Sequence, residues 1–163
     1  MTAMTLAARC LILACGNTLR EDDGVGPFLA QWAEERWRGD PRVRVLCDHQ
    51  WTPEMVEEVA QAQSVIFMDC ATSCEPGGLR VIPVEPTADM TKLATHHLDA
   101  DELLALSKQL YGTMPRSSLL LTVGAASLEL REGFSDAVAA ALPEAKRLLE
   151  DSVQRLLNSD QRA

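Results

Sequence analysis

The fold is decided by residues 10–26, which read CLILACGNTLREDDGVG. The first six form an apolar run with the length of a buried strand, and the run ends at Gly16-Asn17. An amphipathic segment follows Gly26-Pro27. This order of strand, loop and helix predicts an α/β sheet, in which ligands bind beyond the carboxyl ends of the strands.

The loop of this stretch carries three consecutive acids, Glu21, Asp22 and Asp23. It has neither the Gly-x-Gly-x-x-Gly pattern of a dinucleotide site nor the lysine of a phosphate loop. Its acids would repel a pyrophosphate and would suit a cation. From this loop alone we favour a simpler interpretation, in which Asp22 or Asp23 caps the following helix.

Length and charge narrow the class of protein. A chain of 163 residues with 47% hydrophobic content predicts a single domain, residues 1–163, with a substantial core. The net charge of -9 argues against nucleic acid and against an anionic membrane, because both require clustered Lys and Arg. A basic peptide or a metal cation is the expected partner.

The cysteines and the first residues indicate the compartment. The segment Met1–Cys15 has no basic leader and is too short to cross a bilayer, so we interpret it as the first strand. The cysteines are odd in number and include no Cys-x-x-Cys pair, which predicts reduced thiols and a cytoplasmic protein. They are Cys10, Cys15, Cys47, Cys70 and Cys74.

Further apolar runs predict the rest of the sheet. Strands are expected at 43–48, 64–69, 79–84 and 117–123, the third of these at an edge because of Pro83 and Pro86. Helices alternate with them, and we expect a short one from Ser135 and a separate longer one from Pro143. The fold class is therefore α/β, a single three-layer domain with a twisted, mostly parallel sheet of about five strands and helices on both faces.

Two later segments add polar groups to the same edge of the sheet. Asp69 ends a buried strand, so it should face Asp22 or Asp23, although it could equally bond only backbone N–H groups of its own turn. His96 and His97 precede a capping box that opens a helix. A loop histidine is more often a plain surface residue.

Together these residues can form a metal-binding site. Two carboxylates and one imidazole can hold a borderline divalent ion such as zinc or nickel and leave positions open for water or substrate. The sequence has no Gly-x-Ser-x-Gly elbow and no His-Glu-x-x-His helix, so it gives no support for a serine hydrolase or an ordinary zincin.

The same motifs carry a family resemblance. Residues 16–26, the strand ending at Asp69, and Thr95-His96-His97-Leu98 before a leucine-rich helix resemble the nickel-iron hydrogenase maturation endopeptidases. The resemblance implies removal of a C-terminal peptide from the hydrogenase large subunit precursor once nickel is in place.

The resemblance also implies a site. Asp23, Asp69 and His96 match its loop acid, strand-end acid and histidine, with Glu21 or Asp22, and His97, as alternatives. The metal it implies is a divalent ion, with nickel presented by the substrate favoured over an ion resident in the site, and no other cofactor. A metal-activated water and a carboxylate general base both remain open as the chemistry.

Two other classes of function use the same residues. A non-enzymatic nickel-binding or nickel-delivery module would need the ligands but no cleft for a peptide. A small-nucleotide-binding domain is disfavoured by the acids of the first loop.

Overall fold

The sheet is the scaffold on which the rest of the chain is arranged. A computed structural model of the protein describes residues 8–89 and 98–160. In that part of the chain the strands are β1 (Cys10–Cys15), β2 (Val43–Asp48), β3 (Ser64–Ala71), β4 (Leu79–Pro83) and β5 (Ser117–Gly124). The helices are α1 (Val25–Arg36), α2 (Val56–Gln61), α3 (Ala100–Tyr111) and α4 (Asp136–Asp160), with 3-10 turns at Glu21–Gly24 and Pro53–Met55.

The strand order creates a place for a ligand. The order is β2-β1-β3-β5-β4, and all neighbours are parallel except β4, which is antiparallel on the edge. The predicted five-stranded, mostly parallel sheet is confirmed, with Pro83 ending its edge strand. The chain moves from β1 to β2 on one side and to β3 on the other. A crevice therefore opens beyond the carboxyl ends of β1 and β3, where such folds bind ligands.

Helices cover both faces of the sheet, as predicted. Successive residues of β1 point to opposite faces. Ile12 packs with Leu29 of α1 and Leu149 of α4 on one face. Leu13 packs with Leu103 of α3 on the other face. The strands that hold the crevice are thus buried on both sides and rigid.

One expectation about the last helices is wrong. Pro143 does not begin a separate helix, because α4 runs without a break from Asp136 to Asp160 and contains it. A proline inside a helix removes one hydrogen bond and costs about 3 kcal/mol. Here the apolar residues Val138, Ala145 and Leu149, before and after the proline, are all fully buried, and their packing outweighs that cost.

The remaining global predictions concern thiols and membranes. No disulfide joins the cysteines in the described part of the chain, in agreement with the prediction of reduced thiols. In residues 8–89 and 98–160, no helix combines the length and the apolar character needed to cross a bilayer.

Candidate active site

A pocket lies in the crevice beyond β1 and β3. It has a volume of about 260 Å³, and both Asp23 and Asp69 line it. The prediction that Asp69 faces one of the loop acids is therefore confirmed for Asp23. The other lining residues are Cys15, Gly16, Arg20, His49, Gln50, Trp51, Leu98 and Asp99.

Glycines hold the acidic loop tightly against β1. Gly16 has a φ of +152°, and a Cβ atom there would lie 2.0 Å from the carbonyl oxygen of Asp23. At Gly26 a Cβ atom would lie 2.2 Å from the carbonyl oxygen of Cys15. Because only glycine fits these approaches, the loop folds back and the Asn17 N–H donates to Asp23 Oδ2 at 2.8 Å. That bond orients the Asp23 carboxylate.

Asp22 has a different role from its neighbour. Its carboxylate accepts four hydrogen bonds, from Ser135 N and Oγ at 2.8 Å each, Ala126 N at 2.9 Å and Ser127 N at 3.1 Å. Burial raises the pKa of the Asp22 carboxyl, but these bonds lower it by more, and the net pKa lies below the ordinary value. Asp22 therefore ties the loop to the segment between β5 and α4.

The helix-capping interpretation is wrong for both acids. The N-cap of α1 is Gly24, and this cap makes no side-chain hydrogen bond. Asp22 is committed to the segment after β5, and Asp23 is bonded to Asn17. Donors outside the helix have replaced those that a cap would use, distant in sequence for Asp22 and within the same loop for Asp23.

Asp69 has partners beyond the backbone N–H groups of its own segment. Its Oδ1 accepts hydrogen bonds from Cys70 N, in the same strand, at 2.7 Å and from Cys15 Sγ of β1 at 3.6 Å. Burial raises the pKa of the Asp69 carboxyl, and the negative charges of Asp23 and Asp99 raise it further, against these two bonds. A cation in the pocket would relieve both effects.

The predicted histidines cannot be placed. His96 and His97 lie outside the described residues. The described chain resumes at Leu98, a buried pocket residue whose N–H donates to Trp51 O at 3.0 Å. The capping box that opens α3 is confirmed, with Asp99 N donating to Glu102 Oε1 at 3.0 Å.

The described residues do not contain the whole predicted set of Asp23, Asp69 and His96. Over residues 8–89 and 98–160, one group of three or more His, Cys or acidic side chains brings its ligand atoms within 4.8 Å of one another. That group is Asp99, Asp101 and Glu102, in which Glu102 is part of the capping box of α3. Asp23 and Asp69 line the same pocket, and the third predicted residue, His96, lies outside the described residues.

His49 is a pocket residue that sequence reasoning missed. It directly follows β2, whose last residue Asp48 pairs in register with Cys15. The rule that carboxyl ends of parallel strands meet at one edge, which correctly placed Asp69, applies equally to His49. Trp51 is a second missed residue, 4% exposed, whose indole Nε1 has no hydrogen-bond partner in the described chain.

Comparisons with known proteins identify the family. The family model described as hydrogenase maturation protease, HycI, matches residues 49–152. The hydrogenase expression/formation protein HupM of Azotobacter chroococcum is 31% identical over 123 residues, which cover 73% of this chain and 58% of HupM. The chain thus spans about three fifths of the length of that relative.

Two Escherichia coli comparisons extend over more of the chain. The hydrogenase 2 maturation protease is 28% identical over 142 residues, covering 84% of this chain and 85% of that protein. The structure of the hydrogenase maturating endopeptidase HybD superposes with a TM-score of 0.74 at 22% identity, covering 90% of this chain and 93% of HybD, which shows a shared fold. Because the family model matches more than half of its residues, the chain belongs to the hydrogenase maturation protease family.

Proposed function

We propose that the protein is an endopeptidase that removes a C-terminal peptide from the nickel-loaded large subunit precursor of a nickel-iron hydrogenase. One observation carries this proposal: Asp23, from the loop after β1, and Asp69, from β3, line one pocket at the switch point of the sheet in a member of this family. Nickel in this proposal belongs to the substrate. Carboxylate oxygens and an imidazole are ligands that such an ion accepts.

His96 is proposed as the third group. It stands two residues before Leu98, which lines the pocket, and two residues of chain reach at most about 7 Å. Its closeness in the sequence to a residue that lines the pocket supports His96 as the third group.

Asp69 is proposed as the group that takes the proton from the attacking water. Its raised pKa brings it nearer to neutral pH than an ordinary carboxyl, which is the range in which a general base works best. The same group can return the proton to the departing amine. Asp23, oriented by Asn17, would hold the precursor in place.

The setting of the reaction is also a proposal. The cysteines form no disulfide among the described residues, which supports a reducing compartment, the cytoplasm. The charge of -9 disfavours nucleic acid as a partner and supports a cationic or metal-bearing substrate.

Mass spectrometry of the precursor tests the function directly. The purified protein is incubated with nickel-loaded and with nickel-free precursor, and we expect only the loaded form to lose the mass of its C-terminal peptide. His96→Ala should abolish this processing, and its matched neighbour His97→Ala should be milder. An unchanged precursor mass, accompanied by nickel transfer, would identify a delivery module instead. An inactive His97→Ala beside an active His96→Ala would refute the choice of histidine.

A further inference from the structure

A second groove lies beside the acidic loop. It has a volume of about 290 Å³ and is lined mainly by apolar groups, among them Phe28 and Phe134, whose rings meet edge to face at 5.5 Å. Gly24 also lines it and directly follows Asp23, so the groove and the candidate active site share one loop. An extended peptide held at one can reach the other.

Glu21 gives this groove an unusual polar atom. Its side chain is 1% exposed, Oε1 pairs with Arg131, and Oε2 has no hydrogen-bond partner in the described chain. The bond from Arg131 lowers the pKa of Glu21, with help from the nearby Ser127 hydroxyl, so the carboxylate is charged at neutral pH. A buried charged oxygen without a partner needs an explanation, because it carries a desolvation cost.

The backbone at Glu21 is also unusual. Glu21 has a φ of +46°, and among the described residues it is the one non-glycine with a positive φ. A glycine would adopt this conformation without strain. Strained residues persist where the surrounding structure holds them, and they concentrate at binding and catalytic sites. Strain and an unpartnered carboxylate oxygen therefore coincide at one residue of the groove wall.

Two exposed leucines lie close in the sequence to residues of the groove. Leu19 is 56% exposed and Leu130 is 86% exposed. Each directly precedes a member of the parallel bridge between Arg20 and Arg131, so the two leucines lie on neighbouring segments. Large exposed side chains beside a groove are typical of a surface that binds another protein.

We propose that this groove binds the segment of the large subunit precursor next to the scissile bond, with an apolar side chain against Phe28 and Phe134 and a cationic side chain donating to Glu21 Oε2. The inference rests on the proposed function. Its support is the shared loop, the apolar lining and the charge of Glu21. Binding of this kind holds the substrate equally in the ground state and in the transition state, so its loss should act mainly on KM.

Two variants test the groove by different routes. Gln31→Trp places a large ring in the groove from an exposed position on α1. Its matched control is Gln109→Trp, the same change at an exposed position on α3 outside the groove. Glu21→Gly removes the carboxylate and relieves the backbone conformation. We expect KM for the nickel-loaded precursor to rise at least tenfold in Gln31→Trp and Glu21→Gly, with kcat within about threefold of wild type, and to stay unchanged in Gln109→Trp.

The outcomes separate this inference from the function on which it rests. If the wild-type protein leaves the loaded precursor uncut, the proposed function is wrong and the groove inference is wrong with it. If the wild type cleaves the precursor and both groove variants retain its KM, the function stands and the groove inference alone is overturned. Thermal melting of each variant confirms that the folded protein is compared.

Discussion

Asp22 and Asp23 are adjacent, chemically identical acids with opposite surroundings. Asp22 is fully buried and accepts four hydrogen bonds from the segment between β5 and α4. Asp23 accepts one bond, from Asn17 N, and lines the candidate active site. A carboxylate saturated by protein donors has no capacity left for a ligand. Asp22 therefore stabilises the fold, whereas the carboxylate of Asp23 can still bind a ligand in the pocket.

Asp22→Ala should have the largest effect, on stability. It removes the acceptor of the part-buried hydrogen bonds from Ala126 N and Ser135 N, and the free energy of unfolding should fall by about 2–3 kcal/mol. Urea unfolding followed by tryptophan fluorescence measures this. The control is Glu129→Ala, an exposed acid of the same segment, which should stay within about 0.5 kcal/mol of wild type. Equal stability of the two variants would contradict the structural role of Asp22.

Asp23→Asn should show the reverse pattern. The amide oxygen can still accept the bond from Asn17 N, so the melting temperature should stay close to that of the wild type. The negative charge facing the pocket is lost, and processing of the loaded precursor should fall about 100-fold or more. Precursor mass against time gives the rate. A variant that is active but unstable would mean that we have exchanged the roles of the two acids.

Asp69→Asn should stabilise the protein at neutral pH. Because the pKa of Asp69 is raised in the folded state from its ordinary value of 3.8, the folded protein holds this proton more tightly than the unfolded chain. The stabilising contribution is therefore complete below pH 3.8 and is lost as the pH rises through the folded-state pKa. The asparagine side chain cannot ionise. The melting temperature of the variant should therefore exceed that of the wild type by about 2–4 °C at pH 7, which corresponds to about 1 kcal/mol in the free energy of unfolding.

Calorimetry from pH 7 down to pH 4, on protein freed of metal, should show this difference shrinking. A difference in melting temperature that stays constant with pH would show that the added stability does not come from ionisation of Asp69. A less stable asparagine variant at pH 7 would show that the carboxylate is already compensated by a partner in the folded protein.

Cys70→Ala should have the smallest effect. Burial raises the pKa of the Cys70 thiol to about 12, with smaller contributions from nearby carboxylates, so it is a neutral thiol at pH 7 and a poor nucleophile or ligand. Processing should stay within about threefold of wild type. Cys74→Ala is the parallel change and should behave alike. Complete loss of activity in a folded Cys70→Ala protein would show that the ligand set is wrong.

Much of the scaffold could be predicted because its signals are local. The apolar runs of β1, β2 and β3 show strand length directly, and Pro83 marks an edge because it cannot donate to a neighbouring strand. The meeting of Asp69 with the acidic loop followed from the geometry of parallel strands. His49 could have been placed by the same rule.

The sequence by itself determined the α/β fold, the edge of the sheet where the acids gather, and the resemblance that the family match confirms. Only the tertiary structure decided which acid faces the pocket, because the donors that bind Asp22 lie 104 to 113 residues away along the chain. The continuity of α4 through Pro143 was decided in the same way, by burial against the sheet. Local patterns specify which elements form, whereas the partners of a single side chain depend on segments that meet only after folding.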